Sequence, residues 1–310
     1  MHPVIAIVGP TASGKSELGL FLAERFSGEI INYDSVQIYR YLDIGAAKPT
    51  LEERRRIPHH MIDVCEPTDI FTAGDYQREA RRVLEEIRQR QNVPILVGGT
   101  GLYLRALTEG LFNGPTRSLR WRNRLEMIAE RHGRTYLHRI LSRLDPLIAR
   151  RIAVQDKQKI IRALEVRLET GKALSAHLAE RPRQPLTGFN ILFVGLNPPR
   201  ESLYRRIDER VHRMISAGLV EEVRQLLARG IPRTAKPFEA IGYRHLLADP
   251  NSSTLEAGTI RIIQRDTRRY AKRQMTWFRK QPGVTWFDGL GDSEEIKKKV
   301  CQFVQPLLTF

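Results

Sequence analysis

The sequence predicts an α/β protein, a P-loop NTPase-like parallel sheet flanked by helices, with an inserted all-helical domain. Three observations lead to this prediction. A glycine-rich phosphate-loop pattern stands between a short apolar run and a helical pattern. Further apolar runs alternate with helical stretches, as in parallel sheets that helices cover on both faces. The stretch between residues 98 and 189 carries hardly any strand signal.

The elements follow from apolar runs and from helical periodicity. Strands are predicted at Pro3–Val8, Glu29–Tyr33, Pro94–Val97, Asn190–Gly195 and Val284–Phe287. Helices are predicted at Gly14–Phe26, Tyr76–Gln91, Leu119–His132, Tyr136–Leu144, Asp156–Thr170, Leu203–Arg229 and Leu255–Lys280. We therefore assign residues 1–111 and 188–310 to a catalytic core and residues 112–187 to a helical insertion domain. The loops at Gly9, Asp34 and Gly98 follow the first three strands, so they should share one rim of the sheet.

The charge of the chain is concentrated in two segments. The 310 residues hold 51 Lys and Arg against 35 Asp and Glu, a formal net charge of +16. Residues 117–183 contribute +10 and residues 261–280 contribute +7, so the remaining chain is nearly neutral. In the second segment one helical stripe is basic, formed by Arg261, Arg265, Arg268, Lys272 and Arg279. A polyanionic partner is favoured, although acidic groups elsewhere in the fold could neutralise the stripe.

The cysteine content and the hydropathy of the chain indicate its cellular compartment. The two cysteines, Cys65 and Cys301, are too few for a disulfide framework and have no metal-binding spacing. No stretch is apolar enough to span a bilayer, and the N-terminus does not resemble a signal peptide. We expect a cytoplasmic protein without membrane contact. The adjacent His59 and His60 have no partner at ligand spacing, which favours a structural role.

The phosphate-loop pattern G-x-x-x-x-G-K-[ST] is complete. It is formed by Gly9, Pro10, Thr11, Ala12, Ser13, Gly14, Lys15 and Ser16. Its glycines let backbone N–H groups converge on phosphate oxygens at the positive end of a helix dipole. Lys15 adds a point charge, and the Ser16 hydroxyl is placed to ligate Mg²⁺ that the phosphates hold.

Asp34 is the only acid that follows a well-marked strand. The third strand ends in Gly98 and Gly99, where many NTPases have an acid that helps to hold Mg²⁺. Asp34 could be a turn or helix-cap aspartate. On a functional interpretation, its carboxylate either holds the metal or takes a proton from the nucleophile that displaces a diphosphate.

Seven separated motifs occur in one order along residues 3–288. They are the phosphate loop, Asn32–Tyr39, Asp43–Gly45 with Ala47–Pro49, Pro58–Asp63, Val97–Tyr103, Arg162–Val166 and Gly242–Arg244. Together they resemble the tRNA dimethylallyltransferase family. The resemblance implies transfer of a dimethylallyl group from dimethylallyl diphosphate to N6 of the adenosine 3′-adjacent to the anticodon, with release of diphosphate. It also implies that ATP need not bind.

The resemblance assigns roles to individual positions. Residues 9–16 would hold the diphosphate with Mg²⁺ as cofactor, and Asp34 and Thr11 would be catalytic. The adenine must be extruded from the anticodon loop, with Ser35 and Gln37 reading it and Thr100 lining its passage. The insertion domain would bind the anticodon stem-loop. The predicted tRNA-binding residues are Asp34, Ser35, Val36, Gln37, Thr100, Arg122, Gln158, Lys159, Ile160, Ile161, Arg162, Gly242, Tyr243 and Arg244.

Three alternatives stay open on the sequence. A small-molecule kinase could use the same loop for ATP, but it has no need of the basic insert. A non-catalytic RNA-binding protein leaves Lys15, Ser16 and Asp34 unexplained. An enzyme that prenylates free adenine nucleotides would not need a surface of charge +10. We expect a monomer, since no heptad pattern demands a partner.

Overall fold

The computed structural model describes residues 1–112, 114–180, 183–248 and 257–308. Its sheet has six parallel strands in the order β3-β2-β4-β1-β5-β6. They are β1 (His2–Val8), β2 (Gly28–Asn32), β3 (His59–His60), β4 (Val93–Val97), β5 (Phe189–Leu196) and β6 (Val284–Phe287). The predicted α/β class with a parallel sheet is confirmed. The sequence analysis missed β3 because a strand of two polar residues gives no apolar run.

Helices surround this sheet and build the insertion. Among the described residues they are α1 (Lys15–Arg25), α2 (Leu51–Arg56), α3 (Ala73–Gln89), α4 (Gly101–Thr108), α5 (Leu119–His132), α6 (Arg134–Leu144), α7 (Pro146–Ala149), α8 (Lys157–Thr170), α9 (Leu174–Glu180), α10 (Arg200–Ser216), α11 (Leu219–Ala228), α12 (Tyr243–Leu246), α13 (Ala257–Phe278) and α14 (Glu294–Val304). The predicted helix 203–229 is two helices, because Gly218 adopts a φ of +99° between them. The predicted start of the last basic helix, Leu255, lies outside the described residues.

Strand β1 is buried on both faces, which explains its continuous apolar sequence. Val4, Ala6 and Val8 belong to the apolar cluster on one face of the sheet, which includes buried residues of α3 and α4. Ile5 and Ile7 belong to the cluster on the other face, with buried residues of α1 and α14. Because β1 lies in the middle of the sheet, the loop that follows it is anchored by two cores.

A buried carboxylate links β2 and β3 to the turn that precedes β4. Glu29 in β2 is 4% exposed in its side chain and accepts hydrogen bonds from His60 (2.6 Å), Arg90 (2.8 Å) and Asn92 (2.8 Å). Burial raises the pKa of Glu29, but these hydrogen bonds outweigh it and lower the pKa to about 2. The contact also gives His60 a packing role, and His59 is bonded to the carbonyl of Ile57.

The chain forms two compact units, Met1–Thr108 with Leu186–Phe310, and Glu109–Pro185. The boundaries differ by a few residues from the expected 112–187. The second unit contains α5 to α9 around an apolar core of its own, in which Leu137, Leu141 and Leu164 are fully buried. None of the helices in the described part of the chain is long and apolar enough to cross a membrane.

Candidate active site

The phosphate loop joins the end of β1 to the start of α1. Gly14 adopts a φ of +86° as the residue before the helix, and a Cβ there would lie 2.8 Å from the Gly291 nitrogen. Only glycine combines this backbone with such close packing. Gly291 also donates its N–H to the Ser13 carbonyl at 2.9 Å, so the segment after β6 supports the loop from outside.

Lys15 is folded onto its own loop. The residue is 9% exposed, and its ammonium donates a hydrogen bond to the Pro10 carbonyl at 2.7 Å. Burial, together with the nearby positive charge of Arg210, lowers the pKa of Lys15 to about 7, although Asp34 and Glu17 act in the other direction. The loop thus carries a lysine whose charge is sensitive to the arrival of an anion.

Asp34 lies two residues beyond β2 and serves the turn that follows it. Its Oδ1 accepts the N–H groups of Val36 (2.8 Å) and Gln37 (3.4 Å), which is the turn role that the sequence left open. Burial raises the pKa of Asp34, and those hydrogen bonds and the charges of Lys15 and Arg210 only partly oppose it. The second oxygen, Oδ2, is close to Gly99. A Cβ atom added to Gly99 would lie 3.1 Å from it.

The loop after β4 completes the predicted rim. Strand β4 pairs with both β2 and β1, so the three loops lie at the same edge of the sheet, as predicted. The Thr100 hydroxyl accepts the Ser35 N–H at 2.9 Å and donates to the Ser35 hydroxyl at 3.0 Å. Thr100 and Ser35 are therefore held together beside Asp34.

Gln37 has a fixed amide orientation. Its Nε2 donates to the carbonyls of Ala46 and Ala47, each at 3.0 Å. Since carbonyls only accept, the nitrogen must face them, and the side-chain oxygen is the end left for a ligand. An acceptor in this place suits the exocyclic amine of adenine, which donates.

Tyr243, which was predicted to bind tRNA, has its side chain in the core. The ring is fully buried, and its hydroxyl donates to Glu222 at 2.6 Å. Glu222 also accepts three successive N–H groups, those of Asp43, Ile44 and Gly45, at 2.7 to 3.1 Å. Tyr243 thus fixes the loop that orients Gln37. Of its neighbours, Gly242 adopts a φ of +96°, and Arg244 is partly exposed but bonded to Asp266 at 2.7 Å.

In the insertion, two residues that were predicted to bind tRNA have buried side chains. Ile160 and Ile161 are fully buried in the core of the unit, because α8 turns that face inward. Arg122 and Arg162 each lie 3.2 Å from the buried Glu165, so they also stabilise the unit. Gln158 accepts from Arg122 at 2.9 Å. Lys159 is 71% exposed in its side chain, beside Asp156.

The basic stripe of α13 is partly neutralised within the core. Arg268 donates two hydrogen bonds of 2.7 Å to Asp208 of α10. An acidic group elsewhere in the fold therefore neutralises part of the stripe. Asp266 lies 3.2 Å from Arg265 as well as close to Arg244. On the same helix Trp277 is 41% exposed, whereas Phe278 is buried.

Several residues at the rim were not predicted from the sequence. Arg210 of α10 acts electrostatically on both Lys15 and Asp34, and its own pKa is lowered by burial. Gln274 and Tyr270 of α13 both donate to the Gly99 carbonyl, at 2.9 and 3.3 Å. For Gln274 a signal existed: it is an amide in an otherwise apolar stripe with Ile263, Ala271 and Phe278.

Three side chains with oxygen atoms that could bind a metal lie along this rim. Ser16 is exposed in the first turn of α1, and Thr11 and Asp34 are half-buried at the same rim. Within the described ranges, no group of three or more His, Cys, Asp or Glu could hold a metal. Hydroxyl and carboxylate oxygens fit Mg²⁺, which commonly takes one or two protein ligands and completes its shell with phosphates and water.

The fold and the site define a P-loop protein in which an anion-binding loop and a half-buried carboxylate lie along one rim. The family model for IPP transferase matches residues 37–281. Two bacterial proteins called tRNA dimethylallyltransferase are 48% identical, from Koribacter versatilis (97% of this chain, 98% of that protein) and Solibacter usitatus (99% of each). The chain belongs to the IPP transferase family.

Solved structures agree with this assignment. The tRNA isopentenylpyrophosphate transferase of Bacillus halodurans is 38% identical with a TM-score of 0.71, covering 99% of this chain and 97% of that one. A eukaryotic dimethylallyltransferase acting on tRNA is 27% identical with a TM-score of 0.80, covering 98% of this chain and 78% of that one. The P-loop NTPase-like fold is therefore confirmed.

Proposed function

We propose that the rim formed by the phosphate loop and Asp34 carries out the reaction of this family. The chain transfers a dimethylallyl group from dimethylallyl diphosphate to N6 of the adenosine 3′-adjacent to the anticodon of tRNA, and releases diphosphate. The observation that carries the mechanism is the placement of the half-buried Asp34 carboxylate, with a raised pKa, on the same rim as the anion-binding loop.

Residues 9–16 hold the diphosphate. Their backbone N–H groups and the N-terminus of α1 favour an anion, and Lys15 turns from the Pro10 carbonyl to the bound phosphates. Hydroxyls of Thr11 and Ser16 and the Arg210 guanidinium stabilise the negative charge that grows on the leaving oxygen. Ser16 would help to hold Mg²⁺, which would supply further neutralisation of this charge.

Asp34 acts as the general base. The N6 nitrogen forms a bond to the allylic carbon, the carbon–oxygen bond breaks, and the electron pair leaves with the diphosphate. The proton of N6 goes to the carboxylate of Asp34, whose raised pKa makes it a stronger base than an ordinary aspartate. Adenine amines are weak nucleophiles, so alignment of the two reactants is as important as the base.

Recognition of tRNA involves both units. Gln37 presents its carbonyl oxygen to the amine of the flipped adenine, while Ser35, Val36 and Thr100 line the passage. The insertion binds the anticodon stem-loop through Lys159, Gln158 and the exposed parts of Arg122 and Arg162, since its charge suits RNA. Gly242 and Arg244 add contacts from the core.

The enzyme acts as a monomer in the cytoplasm.

One assay tests this function. The protein is incubated with labelled dimethylallyl diphosphate, Mg²⁺ and either tRNA or AMP, and the product is digested and identified. Label in the adenosine next to the anticodon supports the proposal. Label in AMP alone indicates prenylation of free nucleotides, and turnover of ATP without transfer indicates a kinase.

A further inference from the structure

Gln274 is a buried amide whose two ends are both bonded. The residue is 5% exposed and lies in the apolar stripe of α13. Burying an amide costs free energy unless its donor and its acceptor find partners. Here both partners are backbone groups of loops distant in sequence, which gives the side chain a task beyond packing.

The two hydrogen bonds join the phosphate loop to the loop after β4. Gln274 Oε1 accepts the Thr11 N–H at 2.7 Å, and its Nε2 donates to the Gly99 carbonyl at 2.9 Å. Thr11 belongs to the diphosphate side of the rim. Gly99 belongs to the side of Asp34, the proposed general base. A Cβ atom added to Gly99 would lie 2.7 Å from Gln274 Nε2 and 3.1 Å from Asp34 Oδ2.

We propose that Gln274 is a positioning residue of the transfer reaction, which fixes the separation between the diphosphate loop and the Asp34 side of the site. The inference rests on the proposed function. Displacement by the adenine amine needs the reacting atoms about 3 to 3.5 Å apart, and a misplacement of about 1 Å costs on the order of 100-fold in rate. A bridge of one side chain controls such a distance directly.

Gln274→Met tests the bridge, because methionine keeps the length of the side chain and removes both hydrogen bonds. We expect kcat to fall by at least about tenfold, while KM for tRNA and for dimethylallyl diphosphate each change less than about threefold. The matched control is Gln264→Met on the same helix. Within the described residues, the Gln264 amide lies near the Asp208 carbonyl and the His212 ring, away from the rim, so kcat should not change. A wild-type kcat in Gln274→Met overturns the proposal.

Gln274→Glu gives a second readout that simple loss of stability does not imitate. The new carboxyl still accepts from Thr11 in either form, but it donates to Gly99 only when protonated. We expect kcat relative to wild type to be restored at low pH and to fall at least about tenfold as pH rises through the pKa of that carboxyl, which burial raises. A ratio independent of pH refutes the bridge, even if Gln274→Met fails to fold. A wild-type protein that transfers no label to tRNA refutes the proposed function instead.

Discussion

Lys15 should take up a proton when a diphosphate binds to the phosphate loop. In the free protein its pKa is about 7, so about half of the lysine side chains are neutral at pH 7. A bound polyanion stabilises the ammonium and raises the pKa. Binding should therefore take up about 0.1 proton at pH 6, about 0.5 at pH 7 and about 0.9 at pH 8 through this group.

The same linkage sets the sign of the pH dependence. Because the complex holds the proton more tightly than the free protein, affinity is highest below pH 7 and falls as pH rises above it. From pH 6 to pH 8 the dissociation constant should rise about tenfold from this lysine alone, or about 1.4 kcal/mol. Above the pKa of the complex the lysine adds no further change.

Titration calorimetry with Mg²⁺ pyrophosphate measures the protons directly. Binding enthalpies are compared in two buffers, such as Tris and HEPES, whose enthalpies of ionisation differ. Lys15→Arg is the matched control, because a guanidinium stays charged across this range and leaves only the protons of the ligand and other groups. The reasoning is refuted if wild type and Lys15→Arg take up the same number of protons at pH 8.

Three further predictions concern the base, the sheet and the insertion. Asp34→Asn should lower the single-turnover rate about 10²- to 10⁴-fold with tRNA binding retained; a near-normal rate would remove Asp34 as base. Glu29→Gln should lower the free energy of unfolding, measured with urea, by up to about 3 kcal/mol at pH 7 and by little near pH 2. The reason is that the carboxylate stabilises the fold above its unfolded pKa of 4.5, and this stabilisation is lost as pH falls toward about 2. Equal losses at both pH values would contradict this. Lys159→Glu should weaken tRNA binding and lower the salt slope by about 1, with Lys299→Glu as control; an unchanged slope would count against the insertion.

The sequence predicted the parts of the site that depend on local patterns. The phosphate loop is one continuous motif, and Asp34 follows a strand that is visible as an apolar run. Gln274 and Arg210 come from helices far along the chain, so no local pattern brings them to the rim. What marks Gln274 is a polar residue inside an apolar helical stripe, and the same holds for Glu222 in α11.

Three residues that were predicted to bind tRNA have buried side chains, for a related physical reason. Tyr243, Ile160 and Ile161 stand in or next to segments that the family resemblance connects with tRNA, but a motif does not separate residues that contact a ligand from those that support the contact. Arg122 and Arg162 show both aspects, since each carries charge and each pairs with the buried Glu165. Burial decides between these roles, and burial depends on tertiary packing.

The insertion leaves and rejoins the core at adjacent residues. Thr108 ends α4, and its carbonyl accepts the N–H of Leu186 at 2.9 Å. The 77 residues from Glu109 to Pro185 therefore form a loop closed at its base by one backbone hydrogen bond. Loss or exchange of this segment would therefore leave the chain path of the sheet intact. On the proposed function, such a change would alter the RNA-binding surface and leave the phosphate loop and Asp34 in place.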